Sequence, residues 1–214
     1  MELKQFNAAD QAYAYVRERI IAGDFGAGMR LTEWQIADAL GTSRTPVREA
    51  MRRLVGDGVL RLRPNHGTFV GSYTDKEIIE LFELRALLES EVAGAAAQGI
   101  SAAQVERLRT LQEQIEERGV DLGSENLDRI GGLNREFHQL IAQASDRPRM
   151  VDTLANAIEA PVVQQTFRRY SAAHLQRNFH HHRELIDAFS AADGAWARAV
   201  MSCHVRAARF AMLR

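Results

Sequence analysis

The stretch that decides the fold of the N-terminal part of this chain is residues 40–54, which read LGTSRTPVREAMRRL. Gly41 separates two segments whose apolar residues have helical spacing, and glycine readily adopts the left-handed conformation that ends a helix. Pro46 suits the first turn of the second segment, because a backbone N–H has no helical partner there. The pattern predicts helices at about residues 32–40 and 44–57, joined by a tight turn, with Thr32 as the N-cap of the first.

The flanking segments complete a small domain. Residues 8–22 carry apolar residues at helical spacing, among them Val16 and Ile20, and predict a preceding helix. Residues 59–63 and 68–71 are two short alternating segments on either side of a turn at residues 64–67, a pattern typical of a β-hairpin. Three helices followed by a hairpin predict a winged helix-turn-helix over residues 1–72.

The second helix of this motif would present arginines in its first turn while its other face packs inward. An arginine there can reach guanine O6 and N7 in the major groove, the helix N-terminus can face a phosphate, and the tip of the hairpin can enter the minor groove. The alternative is a solvated helix held only by surface salt bridges; the glycine turn, the proline entry and the hairpin together favour DNA binding. The candidate DNA contacts are Arg44, Thr45, Arg48, Arg52, His66 and Gly67.

Beyond a linker around residues 72–75 the pattern is helical throughout. Glycines and the segment 146–148 divide this half into separate helices, so residues 75–214 are expected to form an antiparallel all-α bundle of about six helices. The fold class predicted for the whole chain is therefore mainly α. The expected helices are 75–98, 101–118, 124–144, 147–170, 173–191 and 193–213.

Three histidines of the second half lie on inward-facing stripes of three different helices. They are His138, His182 and His204, and Asn134 precedes the first of them by one helical turn. A single histidine in such a position is more often a core residue. Three converging imidazoles, however, suit a divalent transition metal such as zinc or nickel and leave positions open for water or an anion. We therefore expect a metal site at these four residues.

Arg85 borders the apolar stripe of Leu81, Leu84 and Leu88 and stands four residues before Glu89. One interpretation is an ordinary exposed ion pair across one helical turn, which stabilises a helix only slightly. The other is a guanidinium turned into the bundle, where it would bind the carboxylate of a small organic acid. We favour the second and treat Arg85 and Glu89 as candidate effector-binding residues.

Composition and missing motifs exclude several classes of protein. The net charge is −1, one cysteine is present, and no apolar run approaches the ~18 residues that span a bilayer. The N-terminal residues lack the features of a signal peptide, so we expect a cytoplasmic protein that does not bind membranes. Neither the Glu-x-x-His pairs of di-iron bundles nor the His-Glu-x-x-His pattern of zinc proteases is present, which argues against an enzyme. A DNA-binding protein without an effector remains an alternative.

The motifs around residues 31–54, 57–60 and 65–70 resemble the GntR family of transcription regulators, in its FadR-like branch. The spacing of Asn134, His138, His182 and His204 is similar to the FCD-type sensing domain in its six-helix, VanR-like subgroup. Two positions depart from the usual pattern: His66 stands where arginine is more common, and Asn134 where many relatives carry aspartate, a stronger ligand. The resemblance implies a homodimer on an inverted-repeat operator, and we expect a repressor whose operator affinity falls when a small carboxylate joins the metal.

Overall fold

The computed structural model describes residues 7–158, 163 and 165–213. The chain divides into two compact units, one ending at Tyr73 and the other beginning at Thr74. None of the described helices combines the length and apolar content needed to cross a bilayer.

The N-terminal unit contains helices α1 (Ala8–Ala22), α2 (Glu33–Leu40) and α3 (Arg44–Gly56) and strands β1 (Arg30–Leu31), β2 (Leu60–Arg63) and β3 (Gly67–Val70). Thr32 and Gln35 form a capping box at the start of α2, and Gly41 ends that helix at φ 60°. Helix α3 follows after two residues, which gives the predicted tight turn. The core packs the inward faces of the helices against the sheet and includes Val16, Ile20, Ile36, Val47, Leu54 and Leu60.

The small sheet has one strand more than the sequence predicted. Its order is β1-β3-β2 with antiparallel pairing, and Phe69 of β3 lies between Arg30 of β1 and Arg61 of β2. The predicted hairpin corresponds to β2 and β3. Strand β1 was missed because it has only two residues and pairs with a segment far along the chain, so no local alternation marks it.

The C-terminal unit is helical, and within the described residues it contains six α-helices and a short 3₁₀-helix. Thr74 and Glu77 form a capping box that fixes the start of the first of them. The mainly α fold with a winged helix-turn-helix and a helical second unit is confirmed. The helices are α4 (Asp75–Gly99), α5 (Ala102–Glu117), α6 (Ser124–Ala144), α7 (Pro148–Ile158), the 3₁₀-helix Phe167–Arg169, α8 (Ala172–Ser190) and α9 (Gly194–Arg209).

The predicted single helix 147–170 is wrong in its second part. Helix α7 covers residues 148–158, residues 165–166 form a turn, and residues 167–169 form the 3₁₀-helix. Residues 159–162 and 164 of the predicted helix lie outside the described residues. The sequence carries Pro161, and proline removes a helical hydrogen bond and clashes with the preceding turn, which disfavours one helix through this region.

Helices α4 and α9 run in opposite directions and approach very closely. A Cβ atom placed on Gly94 would lie 2.6 Å from the side chain of Arg198, and one on Gly194 would lie 2.6 Å from the backbone oxygen of Gly94. Helix α6 runs in the same direction as α4, because His138 contacts Glu89 and the backbone oxygen of Ala144 lies near Gly99. These directions fix which residues of the three helices share a level.

Candidate functional site

Helix α3 has the two faces that a recognition helix needs. Val47, Ala50 and Leu54 are fully buried, whereas the candidate DNA contacts Arg44, Thr45, Arg48 and Arg52 are exposed. The N-cap residue Ser43 makes no side-chain hydrogen bond to the first turn. The first turn can therefore offer its backbone N–H groups to a phosphate while the arginines reach toward bases.

A carboxylate that the sequence analysis did not identify joins two of these arginines. Glu33, the first residue of α2, accepts hydrogen bonds from Arg48 Nε at 2.7 Å and Nη2 at 2.8 Å, and from Arg44 Nη2 at 3.0 Å. The hydrogen bonds from Arg48, and then those from Arg44, outweigh partial burial and lower the pKa of Glu33 to about 2. No local pattern marks this role, because Glu33 precedes its partners by 11 and 15 residues.

The hairpin presents His66 and Gly67 at its tip, as expected. His66 is exposed, and Asn65 and Gly67 adopt φ values of 61° and 107° in the turn. The sheet also exposes arginines that the sequence analysis did not name. Arg30 and Arg61 share a face with Phe69, and the guanidinium of Arg63 lies 4.7 Å from the centre of the Phe69 ring. Exposed guanidinium groups in this position suit contacts with phosphates.

In the C-terminal unit, the structure brings His138, His182 and His204 together. One ligand atom from each lies within 4.8 Å of the others. The ring centres of His138 and His182 lie 5.1 Å and 5.0 Å from that of His204. His182 stacks on Phe137 at 4.0 Å, which holds its ring in place. We refer to these three residues as the histidine site.

Two neighbouring side chains determine which ring nitrogens remain available. His182 Nδ1 lies 2.8 Å from Gln112 Oε1, and His138 Nδ1 lies 3.0 Å from Glu89 Oε2. Both oxygens can accept a hydrogen bond from a protonated Nδ1, which leaves Nε2 of each neutral ring with a free lone pair. Nε2 of His138 and of His182 and Nδ1 of His204 are buried and have no hydrogen-bond partner. Three buried ring nitrogens in one place fit a divalent metal ion.

Gln112 was not predicted, although the sequence contains a signal for it. It lies on the stripe of α5 that buries Leu108, Leu111 and Ile115, and an amide among such residues needs a partner. Its partner, His182, is 70 residues away.

The electrostatics favour neutral imidazoles at His182 and His204 beside an ionised carboxylate at Glu89. Burial, and then the neighbouring imidazoles, lowers the pKa of both His182 and His204 well below its ordinary value. Burial by itself would raise the pKa of Glu89, but the charge of Arg85 and the contact with His138 hold it at about 2. Neutral imidazole is the form that binds a metal.

A cavity of about 290 Å³ opens beside the histidine site and is lined by Arg85, Glu89, Asn134, His138 and His204 among others. Arg85 is buried, and its Nε donates to Glu89 Oε1 at 2.9 Å. The pair with Glu89 therefore exists, but inside the bundle and not on an exposed surface, and the binding of a carboxylate by Arg85 stays a prediction. The apolar stripe expected beside it is partly wrong: Leu84 is 44% exposed, because Phe82, Arg85 and Glu89 occupy the buried face of α4.

The remaining predicted ligand, Asn134, lines the cavity one turn before His138. Its Oδ1 accepts a hydrogen bond from Asn178 Nδ2 at 3.4 Å, a long contact. Asn178 Oδ1 and Thr166 Oγ1, which line the same cavity, are buried without partners. The cavity therefore offers unpaired acceptors and donors as well as the histidine nitrogens, as a binding site for a polar group would.

Comparison with known proteins finds a family model for each of the two units. Residues 8–70 match the sequence model of bacterial regulatory proteins of the gntR family, and residues 80–207 match that of the FCD domain. The chain belongs to the GntR family. It is a transcription regulator with a DNA-binding helix-turn-helix and an FCD domain, not an enzyme.

The similar proteins include several that are named as transcription regulators. The chain is 35% identical over 137 residues to the uncharacterized HTH-type transcriptional regulator YdhC of Bacillus subtilis (strain 168), a match that spans 63% of this chain and 59% of that protein. It is 29% identical to the probable D-xylose utilization operon transcriptional repressor of Paenarthrobacter nicotinovorans, over 96% of this chain and 88% of that protein. E. coli McbR/YncC shares the fold, with a TM-score of 0.76, 22% identity and 94% of both chains covered.

Proposed function

We propose that this GntR-family protein is a repressor whose C-terminal unit binds one divalent metal ion, zinc or nickel, together with a small carboxylate effector. The observation that carries the proposal is the cluster of three partnerless ring nitrogens of His138, His182 and His204, of which His138 and His204 line a cavity that Arg85 also lines. Asn134 would supply a further oxygen. When bound, such a metal attracts a carboxylate oxygen and leaves the ring nitrogens fully paired.

The residues around the histidine site would then have distinct tasks. Glu89 orients His138 and keeps Arg85 in place, and Gln112 orients His182. The guanidinium of Arg85 pairs with Glu89, and its remaining N–H groups would bind the second carboxylate oxygen of the effector. Contacts of this kind outside the ligand set commonly change metal affinity 10–100-fold when they are removed.

The DNA-binding unit would recognise an inverted-repeat operator as part of a homodimer. Arg44 and Arg48 would read bases, Thr45 and Arg52 would contact the DNA backbone, and His66 and Gly67 would enter the minor groove. Effector binding would lower operator affinity, since any ligand that binds better to the form with weak DNA affinity shifts the population toward it.

Elemental analysis tests the proposal most directly. Protein purified without chelator or affinity tag is expected to carry about one divalent metal ion per chain, and the triple variant His138→Ala/His182→Ala/His204→Ala to carry none. His180→Ala is the matched control, because His180 is an exposed histidine on α8 beside the site. Folded wild-type protein that cannot take up zinc or nickel would refute the metal site. An acid that binds the metal-loaded protein but leaves operator affinity unchanged would refute the coupling.

A further inference from the structure

The cavity beside the histidine site has a polar end and an apolar end. Arg85 and Asn134 lie one turn before Glu89 and His138 on α4 and α6, and both line the cavity. On the other side of the histidine level, the next turns of these helices contribute Val92 and Ile141 to the lining.

The third helix agrees with this division. Helix α9 runs opposite to α4, so the residue one turn before His204 lies on the Val92 side of His204, and that residue is Met201. Three helices thus place apolar side chains on the same side of the histidines. We call this part of the cavity the apolar end.

Helix α7 extends the apolar lining. All of its described side chains that line the cavity are hydrocarbon groups: Val151, Leu154, Ala155 and Ile158. Because α7 begins four residues after α6 ends, Val151 in its first turn belongs to the apolar end, and Leu154 continues the same apolar wall one turn further along. A hydroxyl group placed there would lose its water without gaining a partner from these side chains, whereas a CH₂ group would gain from burial.

We infer that the effector is a monocarboxylate with a hydrocarbon or aromatic body, its carboxylate at Arg85 and the histidine site and its body at the apolar end, rather than a sugar acid or a dicarboxylate. This inference rests on the proposed function, and it specifies the class of acid that the same site takes. A cavity of about 290 Å³ lies at the small end of ligand sites, so the body is short.

Calorimetric titration of the full-length, zinc-loaded protein with acetate, butanoate, hexanoate and gluconate tests the inference. Hexanoate and gluconate both have six carbons and one carboxylate, and differ in the hydroxyl groups of gluconate. Each CH₂ that enters the apolar end should tighten Kd by about fourfold, so hexanoate should bind at least tenfold more tightly than butanoate and than gluconate.

Variants of α7 test whether its side chains cause the preference for hexanoate over gluconate. Leu154→Asn, which keeps the number and branching of the side-chain heavy atoms but makes them polar, should reduce the advantage of hexanoate over gluconate about tenfold, and Leu154→Met should retain it. Val151→Thr is a second, isosteric variant at a half-buried position, and it should shift the ratio in the same direction if Leu154→Asn fails to fold.

The outcomes separate this inference from the proposed function. If gluconate binds as tightly as hexanoate, and Arg85→Gln weakens both, the carboxylate site stands and the apolar effector is overturned. If the protein holds zinc but none of the four acids binds, both the effector site and the inference are overturned.

Discussion

One carboxylate binds both of the arginines that we propose read DNA bases. Glu33 accepts hydrogen bonds from both Arg44 and Arg48, and its depressed pKa keeps it ionised throughout the physiological range. The pair Arg48–Glu33 is nearly half exposed on the arginine side, so its contribution to folding stability is small. Its consequence is geometric: the shared partner limits the directions in which the two guanidinium groups can point.

Glu33→Gln should therefore reduce specificity more than affinity. The amide keeps the shape but not the charge that holds the arginines, so we expect the ratio of operator to scrambled-DNA affinity to fall about tenfold.

Arg48→Ala should cost about 1–3 kcal/mol of operator binding, the range for losing a bidentate contact with guanine. Fluorescence anisotropy at one fixed salt concentration measures both.

Glu49→Gln is the matched control for Glu33→Gln, since it removes an exposed carboxylate from the recognition helix itself. An unchanged specificity ratio in Glu33→Gln, or an equal fall in Glu49→Gln, would contradict the positioning role of Glu33.

At the scale of residues, helical periodicity was enough to bring the three histidines together. It places each of them on the buried stripe of its helix, and stripes in one bundle converge. Periodicity could not pair Glu33 with its arginines or Gln112 with His182. The partners belong to different elements, and contacts between elements are set by their packing. Periodicity also placed Leu84 inward, where an arginine and a glutamate occupy the buried face instead.

Helices α8 and α9 each bury a histidine that stays neutral, and this makes stability depend on pH. The pKa of His182 and of His204 is lowered well below 6.5 in the folded protein, mainly by burial. The unfolded chain takes up protons at these residues as the pH falls below about 6.5, while the folded chain does not. Stability is therefore fully present above pH 6.5 and is lost as the pH falls below it.

The thermal midpoint of metal-free protein should decrease as the pH is lowered from 7.5 to 5.5. Each buried histidine should give the free energy of unfolding a slope that approaches about 1.4 kcal/mol per pH unit. The double variant His182→Gln/His204→Gln should show a shallower pH dependence, whatever its stability at pH 7.5. The same pH dependence in the wild type and the double variant would show that other groups are responsible.

Among elements, those with local signals were predicted and those without were not. Capping residues such as Thr32 and Thr74 fixed where helices begin, and glycines fixed where several of them end. Strand β1 lacked such a signal, because it is defined by its partner in β3. Pro161 is a local signal against one helix over residues 147–170, but the apolar pattern on both sides of it was read as continuous.

At the scale of the whole molecule, helix α4 presents apolar residues to solvent as well as to the core. Leu87 is 63% exposed and Leu84 is 44% exposed, on the face opposite Arg85 and Glu89. Neighbouring exposed leucines on a helix are typical of a surface that another chain covers. This face is our candidate for part of the interface of the proposed homodimer.

Leu87→Lys should weaken self-association because it introduces a charge into an apolar contact. We expect the wild type to sediment as two chains at micromolar concentration and the variant to shift toward one. Leu122→Lys serves as the control, since Leu122 is a comparably exposed leucine between α5 and α6. A wild type that sediments as a single chain, or a variant that still sediments as two, would exclude this face.

The contact between Gly94 and Gly194 has a consequence for how such a protein can evolve. A side chain at Gly194 would meet the backbone of Gly94 and force α4 and α9 apart, and a side chain at Gly94 would displace that of Arg198, so substitutions at both positions are disfavoured. Helix α7 carries neither these glycines nor a histidine of the site, and it supplies a continuous apolar wall of the cavity. New ligand preferences of the proposed effector site can therefore arise by substitutions in one short helix, while the residues of the proposed metal site are inherited unchanged.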